Sequence, residues 1–443
     1  MKNILIGALV FLSFHGMGNT GFIQEEVFVN GLQDLKIIKQ HPALTIDHMT
    51  NSGFELYGPK GMKQWLQESA ISFSENTHSH SHSTKSNKFE VSYPTYEQIE
   101  ANLLKLVALR PDIAKLFSIG KSTEGRELYV VKISDNVEID ELEPEFKYIS
   151  SMHGNEITGR ELTQFLIKDI IEGYGSNQQI TELVNNTELY IMPSMNPDGS
   201  KRKQRANAKG YDLNRNFPDW TIGEINSEAT RQAETKAVMK FQASRNFSLS
   251  ANFHGGAVVA NYPWDSTYER HPFDKLLQDI SLKYANENPE MRTSTEFAGG
   301  ITNGADWYVL KGGMQDWSYF WYNDLQITVE LSNQKWPRYS KIPGFYQDNK
   351  ASMLTYAEAI HQGAGFVTSS KIATGSVEVM LKLNDGSYRA LGSFGFSRGE
   401  FYKVLTNGEY KFRVNIKGEN TVREFTTTVD PSVQANGNYT ALN

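Results

Sequence analysis

The chain has 443 residues, 44 Lys and Arg against 51 Asp and Glu, and a formal net charge of -7. Such a length buries several domains' worth of core, and an acidic balance without basic blocks excludes a surface that tracks nucleic acid. Cysteine is absent, which removes disulfides, thiolate nucleophiles, iron–sulfur clusters and Cys-ligated zinc together, so a metal here must sit on His and carboxylate ligands.

Lys2, the apolar run ILIGALVFLSF (4–14) and then Gly16 and Gly18 read as a secretory signal peptide over residues 1–18. A secreted or periplasmic location is expected, with no Cys to carry a lipid anchor and no later run near the ~18 apolar residues of a membrane span. Residues 19–73 offer Leu32, Leu35, Ile38, Phe54, Leu56 and Leu66 to a small appended unit, an accessory or a pro-segment, with accessory the favoured reading. The Ser/Asn/Lys-rich stretch 74–88 reads as a flexible linker and domain boundary. Its alternating His78, His80 and His82 lack any preorganised metal geometry.

From 89 to 364 helix and strand patterns alternate. Ile99, Leu103, Leu106 and Val107 recur at helical spacing over 96–109, ahead of Pro111. Strands are expected at 128–133, 146–152, 188–192, 247–253 and 325–331, and helices from 155 onward and at 228–242, 273–287 and 348–362. The pattern is α/β, a mixed twisted sheet flanked by helices. Over 365–443 the period falls to two, as in Val377, Val379 and Leu381 before the turn Asn384-Asp385-Gly386, and a small all-β sandwich is expected.

His153-Gly154-Asn155-Glu156 stands where a strand ending at Met152 passes into a helix, at the carboxyl edge of the sheet where α/β folds place ligands. His254, in Phe253-His254-Gly255-Gly256, has the same topological position. Either histidine alone reads as a hydrogen-bonded core residue; together with Glu156 they make an open His₂Glu zinc site. Arg215, within Asn214-Arg215-Asn216-Phe217-Pro218-Asp219, offers a guanidinium fork to a terminal carboxylate, although a surface salt bridge is the plainer reading of this arginine or of Arg205. Glu330 closes an apolar strand, where an acid is costly unless it faces a cleft or acts as a general base.

The order of these motifs, with Asn196-Pro197-Asp198-Gly199, Arg205, Tyr308, AVVANYPWD (257–265), GGMQDWSYFW (312–321) and ITVELS (327–332), resembles the zinc metallocarboxypeptidases over about 89–364. Within them it is similar to the regulatory branch typified by carboxypeptidases N, E, D and M, and GEFYKVLTNGEYKFRV (399–414) resembles the transthyretin-like sandwich of that branch. The resemblance implies one Zn²⁺ per chain on His153, Glu156 and His254, Glu330 as general base, and Arg205 on the scissile carbonyl. It places Asn214, Arg215 and Tyr308 on the substrate's free carboxylate, and Asp265 and Gln315 in a pocket preferring a C-terminal Lys or Arg. The substrates implied are peptide or protein C-termini, and the enzyme a monomer. A catalytically inactive peptide-binding relative, or a zinc amidohydrolase acting on cell-wall peptides, are the alternatives. Residues before 89 have no counterpart in this resemblance.

Overall fold

The computed structural model describes residues 21–75, 92–430 and 438–442. The expected signal peptide and His78, His80 and His82 lie outside the described residues.

The N-terminal unit runs β1(Glu25–Asn30), α1(Leu35–Lys39), β2(Thr45–Thr50), β3(Gly53–Gly58), α2(Met62–Glu68) and β4(Phe73–Glu75). Its strands pair antiparallel in the order β2-β3-β1-β4. Val27 and Val29 alternate inward on β1, Phe54 and Leu56 on β3, and with Ile38, Met62, Leu66 and Ile71 they fill a core of their own. The edge strand β2 carries a bulge between Asp47 and Thr50, with His48 at φ 46. A bulge bends a strand and re-aims its side chains, and here it turns Asp47 and His48 toward the neighbouring domain.

That domain comprises α3(Tyr96–Leu109), β5(Ala114–Lys121), β6(Glu127–Ile133), β7(Glu145–Ser150), α4(Thr158–Gly173), α5(Gln178–Val184), β8(Glu188–Met192), α6(Pro197–Arg202), α7(Ala233–Ala243), β9(Phe247–His254) and β10(Val258–Tyr262). It continues through α8(Asp274–Glu287), α9(Pro289–Arg292), β11(Ile301–Asn303), α10(Gly304–Trp307), α11(Met314–Tyr322), β12(Leu325–Leu331) and α12(Ile342–Glu358). The eight strands form one sheet in the order β11-β10-β12-β9-β7-β8-β6-β5. Its centre, β12-β9-β7-β8, is parallel, the pairs β10–β12, β8–β6 and β6–β5 are antiparallel, and the edge strand β11 joins β10 in parallel, so the mixed sheet expected from the alternation is present. Near-continuous apolar runs on these strands, such as LQITVEL on β12, are what burial on both faces requires.

The remaining strands are β13(Gly363–Thr368), β14(Gly375–Lys382), β15(Tyr388–Phe396), β16(Glu400–Val404), β17(Gly408–Ile416), β18(Val422–Val429) and β19(Tyr439–Leu442). They make a three-stranded sheet, β16-β13-β19, and a four-stranded sheet, β15-β14-β17-β18. Phe366 packs across to Phe396 and Phe425 between them. Their residues belong to the same hydrophobic cluster as the large sheet's core, from Leu162 and Phe253 to Phe401 and Phe412.

Candidate active site at the carboxyl ends of the parallel strands

Three central strands deliver the chemistry. β7 ends at Ser150, and Ser151, at φ 52, reverses the chain so that 151–157 forms a turn before α4. His153 and Glu156 lie on that turn; the helix expected from 155 therefore begins only at Thr158. The turn is seated on the Asn196-Pro197-Asp198-Gly199 segment: Asn196 donates to the carbonyls of Met152 and Arg205, and its Oδ1 caps α6 through Gly199 N–H. Glycine is needed at 154, because a Cβ there would overlap the backbone of Gly199 and Ser200. His254 is the last residue of β9, and Glu330 stands opposite it in the β12 register.

His153 Nδ1, His254 Nδ1 and Glu156 Oε2 lie 2.8 to 3.0 Å from one another. His153 Nε2 faces Asp212 Oδ1 at 2.9 Å, which assigns the proton to Nε2 and turns the Nδ1 lone pair to the cluster. Three buried lone-pair donors converging on one point repel one another unless a cation lies among them, and this donor set fits zinc. Burial opposes the charge on Asp212, yet Arg205 and His153 hold it well below the usual carboxylate range.

Arg205 donates from Nε to Asp212 at 2.9 Å and from Nη1 to Glu156 Oε1 at 3.2 Å. Its Nη2 is buried with no hydrogen-bond partner among the described residues, and so is Glu330 Oε2. Burial, with Glu156 and Asp47 alongside, keeps the Glu330 carboxyl well above its ordinary range. Two orphaned buried atoms of opposite character beside a metal-type cluster are what a reacting carbonyl and its water require, and each is costly otherwise.

Asn214 and Arg215 form the turn after Asp212, with Asn214 N–H on Asp212 at 2.8 Å and Asn214 Oδ1 accepting from Met314 N–H at 3.0 Å. Asp265 is buried, and its Oδ1 accepts from Asn261 and Gln315, each at 3.0 Å. Its backbone N–H is held by the Asp316 carboxylate, 3.0 Å away, which also takes Ser266 N–H and O–H. Burial and the neighbouring Asp316 raise the Asp265 carboxyl well above its usual range, and Asp316 is itself pushed up to about 6. A Cβ on Gly304 would overlap Asp265 Oδ1, so glycine leaves the room in which this carboxylate sits.

All ten residues singled out in the sequence thus lie around one region. Asp212, which fixes both His153 and Arg205, stands two residues before the Asn214–Asp219 motif and has no part in the sequence reading. Asp316 likewise sat inside GGMQDWSYFW. Asp47, which accepts from Arg205 Nη1 at 2.6 Å, Tyr308 O–H at 2.8 Å and Lys335 at 3.2 Å, had no signal, and neither had Lys335, because the groups that make them matter come from distant segments.

A zinc carboxypeptidase family model matches residues 99–352. The chain belongs to the zinc carboxypeptidase family. It is 38% identical over 368 residues to carboxypeptidase D of Homo sapiens, covering 77% of this chain and 26% of that protein. It is 37% identical over 355 residues to carboxypeptidase M of Mus musculus, covering 74% of this chain and 79% of that protein. The chain therefore spans about a quarter of the length of the first relative and about four-fifths of the second. In structure it is similar to carboxypeptidase A from Helicoverpa armigera, with TM-score 0.59 at 19% identity over 77% of this chain and 98% of that one. It is also similar to thrombin activatable fibrinolysis inhibitor, with TM-score 0.56 at 17% identity over 76% and 98%. These two agree with the fold described above. No helix among the described residues is long and apolar enough to cross a membrane.

Proposed function

We propose that this zinc carboxypeptidase is exported, works as a monomer, and removes C-terminal residues from peptides or proteins, Lys and Arg in preference to apolar ones. Zinc, held by His153, Glu156 and His254, supplies Lewis-acid activation of water and carbonyl when bound. Glu330, buried and with its carboxyl held well above its ordinary range, takes the proton of the attacking water and later returns it to the leaving amine. Arg205, positioned through Asp212, donates to the oxygen on which negative charge develops. Asn214, Arg215 and Tyr308 hold the substrate's free carboxylate, a group that an internal peptide bond lacks. Export rests on residues 2–18, and the two-sheet tail is read as the transthyretin-like sandwich.

The observation that carries the Lys/Arg preference is Asp265, an acid buried to 3% exposure and held by the side-chain amides of Asn261 and Gln315, with no ion pair to a cation among the described residues. An ammonium or guanidinium entering there gains a charge-assisted bond of ~1.5–3 kcal/mol, roughly 10- to 150-fold in kcat/KM. Release rates from peptides differing only in the last residue test this. Arg and Lys should leave far faster than Leu or Phe, and Asp265→Ala should erase most of the gap while sparing Leu release. An unchanged Lys-to-Leu ratio in Asp265→Ala overturns the pocket, whereas Glu330→Gln retaining substantial turnover overturns the base.

A further inference from the structure

The pocket around Asp265 holds more acceptors than donors. The two side-chain amides that reach this acid, those of Asn261 and Gln315, both spend a donor on the same Oδ1. Their own oxygens, Asn261 Oδ1 and Gln315 Oε1, are buried with no hydrogen-bond partner among the described residues. Beside Asp265 stands a second acid, Asp316 of α11, equally buried, and neither pairs with a cation among the described residues. Unused acceptors and two carboxylates in one dry place are costly until a proton or a cation joins them.

The two acids are not equivalent. Asp316 accepts Asp265 N–H at 3.0 Å, Ser266 N–H at 2.8 Å and Ser266 O–H at 2.6 Å, and so many donors on one carboxylate favour its anion. Asp265 has only the two amides. Like charges side by side in a buried site do not both persist, and the proton goes to the member with fewer donors. Burial and Asp316 push the Asp265 carboxyl up, in the same sense as this count of donors, and Arg215 opposes them weakly. The other charged groups nearby are spent or silent. Lys311 donates to Thr221 Oγ1 at 2.6 Å and Ser266 C=O at 2.5 Å, and Asp219 acts on Asp316 in the raising direction. His271, against the Trp264 ring, is kept neutral by burial, and Asp306 of α10 pairs with Arg270 at the surface. β10, reading VVANY, brings no Asp, Glu, Lys, Arg or His.

An ammonium or a guanidinium is all donors and no acceptor, the complement of what this pocket lacks. We infer that Asp265 is protonated in the empty pocket and gives its proton to solvent when a basic side chain enters, with Asp316 as the positioning residue that sets the pH of this exchange. The inference rests on Asp265 as the specificity residue of the proposed carboxypeptidase and adds how that residue acquires its charge. In the exchange the Asp265 O–H bond breaks, its electron pair stays on the carboxylate, the proton passes to water, and an N–H···O bond from the substrate's cation takes its place. An apolar last residue leaves the proton where it is. Preference for Lys and Arg therefore grows with pH, because binding them releases a proton that binding Leu does not.

The test uses the full chain and two short peptides that differ only in a final Arg or Leu. Calorimetry of each peptide with Glu330→Gln, in buffers of different ionisation heat, counts the protons released, and Arg should release about one more than Leu near pH 7. With wild type followed from about pH 6.5 to about pH 9, the Arg-to-Leu ratio in kcat/KM should climb toward about tenfold per pH unit before it levels. Glu330 and the metal site act on both peptides and cancel in that ratio. Asp316→Asn keeps an acceptor and removes the charge, so its ratio should level about one pH unit lower; a residue that merely held the loop would lower the ratio without moving the profile. In the peptide-free chain, Asp265→Asn should remove one infrared carbonyl band of a protonated carboxyl, and methylguanidinium should abolish the same band in wild type. Equal proton release by the two peptides, a ratio flat with pH, or the absence of that band overturns the inference, and an unmoved profile in a folded Asp316→Asn overturns the part given to Asp316. If neither peptide binds or turns over, methylguanidinium decides: loss of the band leaves the exchange standing and the carboxypeptidase reading fails, whereas a band that persists overturns the exchange.

Discussion

The two ends of the chain are attached to the catalytic domain by opposite kinds of surface. The N-terminal sheet keeps a hydrophobic core of its own, and its contacts across the cleft include hydrogen bonds and ion pairs of Asp47, Glu55 and Tyr57 with Arg205, Tyr308 and Lys335, carbonyl bonds from Ile46 and Met49 to Arg215 and Trp307, and one small apolar contact of Met49 with the cluster of Ala257, Val259, Phe297 and Trp307. The C-terminal sheets share one apolar cluster with the large sheet. There Lys403 of β16 lies over the rings of Tyr319, Phe273 and Phe394 at 4.4 to 4.7 Å, and Ser248 at the start of β9 donates to Tyr402 C=O at 3.2 Å. A contact between two complete cores that is polar but for one side chain can part and leave both folded, because water replaces the lost partners. A shared core cannot, since parting it exposes apolar surface at roughly 25 cal/mol per Å².

The largest expected effect follows directly. A chain ending before β13 should fail to yield a soluble, zinc-binding domain, whereas one beginning after residue 91 should yield it; gel filtration with metal analysis reads both. A soluble, active chain lacking the tail breaks the comparison. At the next level, Phe401→Ala and Phe54→Ala each remove a buried ring, at about 3–5 kcal/mol. In scanning calorimetry Phe401→Ala should lower the main transition, and Phe54→Ala only a separate transition belonging to the N-terminal sheet. One transition moved by both variants would mean that the cores are not independent.

The smallest effect sharpens the description of the C-terminal contact. Burial pulls the Lys403 ammonium down from 10.5 to about 7, opposed by Asp324. Between those values the unfolded chain keeps a proton that the folded chain has shed, so this residue's cost is full at or below pH 7 and is relieved as pH rises toward 10. Lys403→Met should therefore be more stable than wild type, on the order of a few kcal/mol at pH 6, with the difference in Tm shrinking by pH 9.5. A difference that does not change with pH would show that the ammonium is not the cost.

Much of the catalytic domain was legible because its signals are local. The helix at 96–109 carries a stripe and a Thr95–Gln98 capping box, and the strands at 188–192 and 325–331 are apolar runs with clear ends. The misses have physical causes. α11 reads MQDWSYFWY, poor in strong helix formers and held by packing of Trp317 rather than by propensity. The pattern at 228–242 begins to coil only at Ala233, since residues before it are spent on a turn in which Gln232 N–H bonds Asn216 Oδ1. The site was legible as far as its residues lie in fixed order along one domain. Asp47 was not, because a single acid in a strand pattern says nothing about a guanidinium 158 positions away in sequence.

The chain contains no cysteine, so no covalent bond other than the backbone ties the N-terminal sheet to the domain it covers. While that backbone is whole, the sheet meets the cleft at the millimolar effective concentration typical of a short tether. One cut turns the same contact into an ordinary two-body equilibrium. Dilution then decides the contact: the severed sheet leaves the cleft more completely the thinner the solution into which the protein spreads.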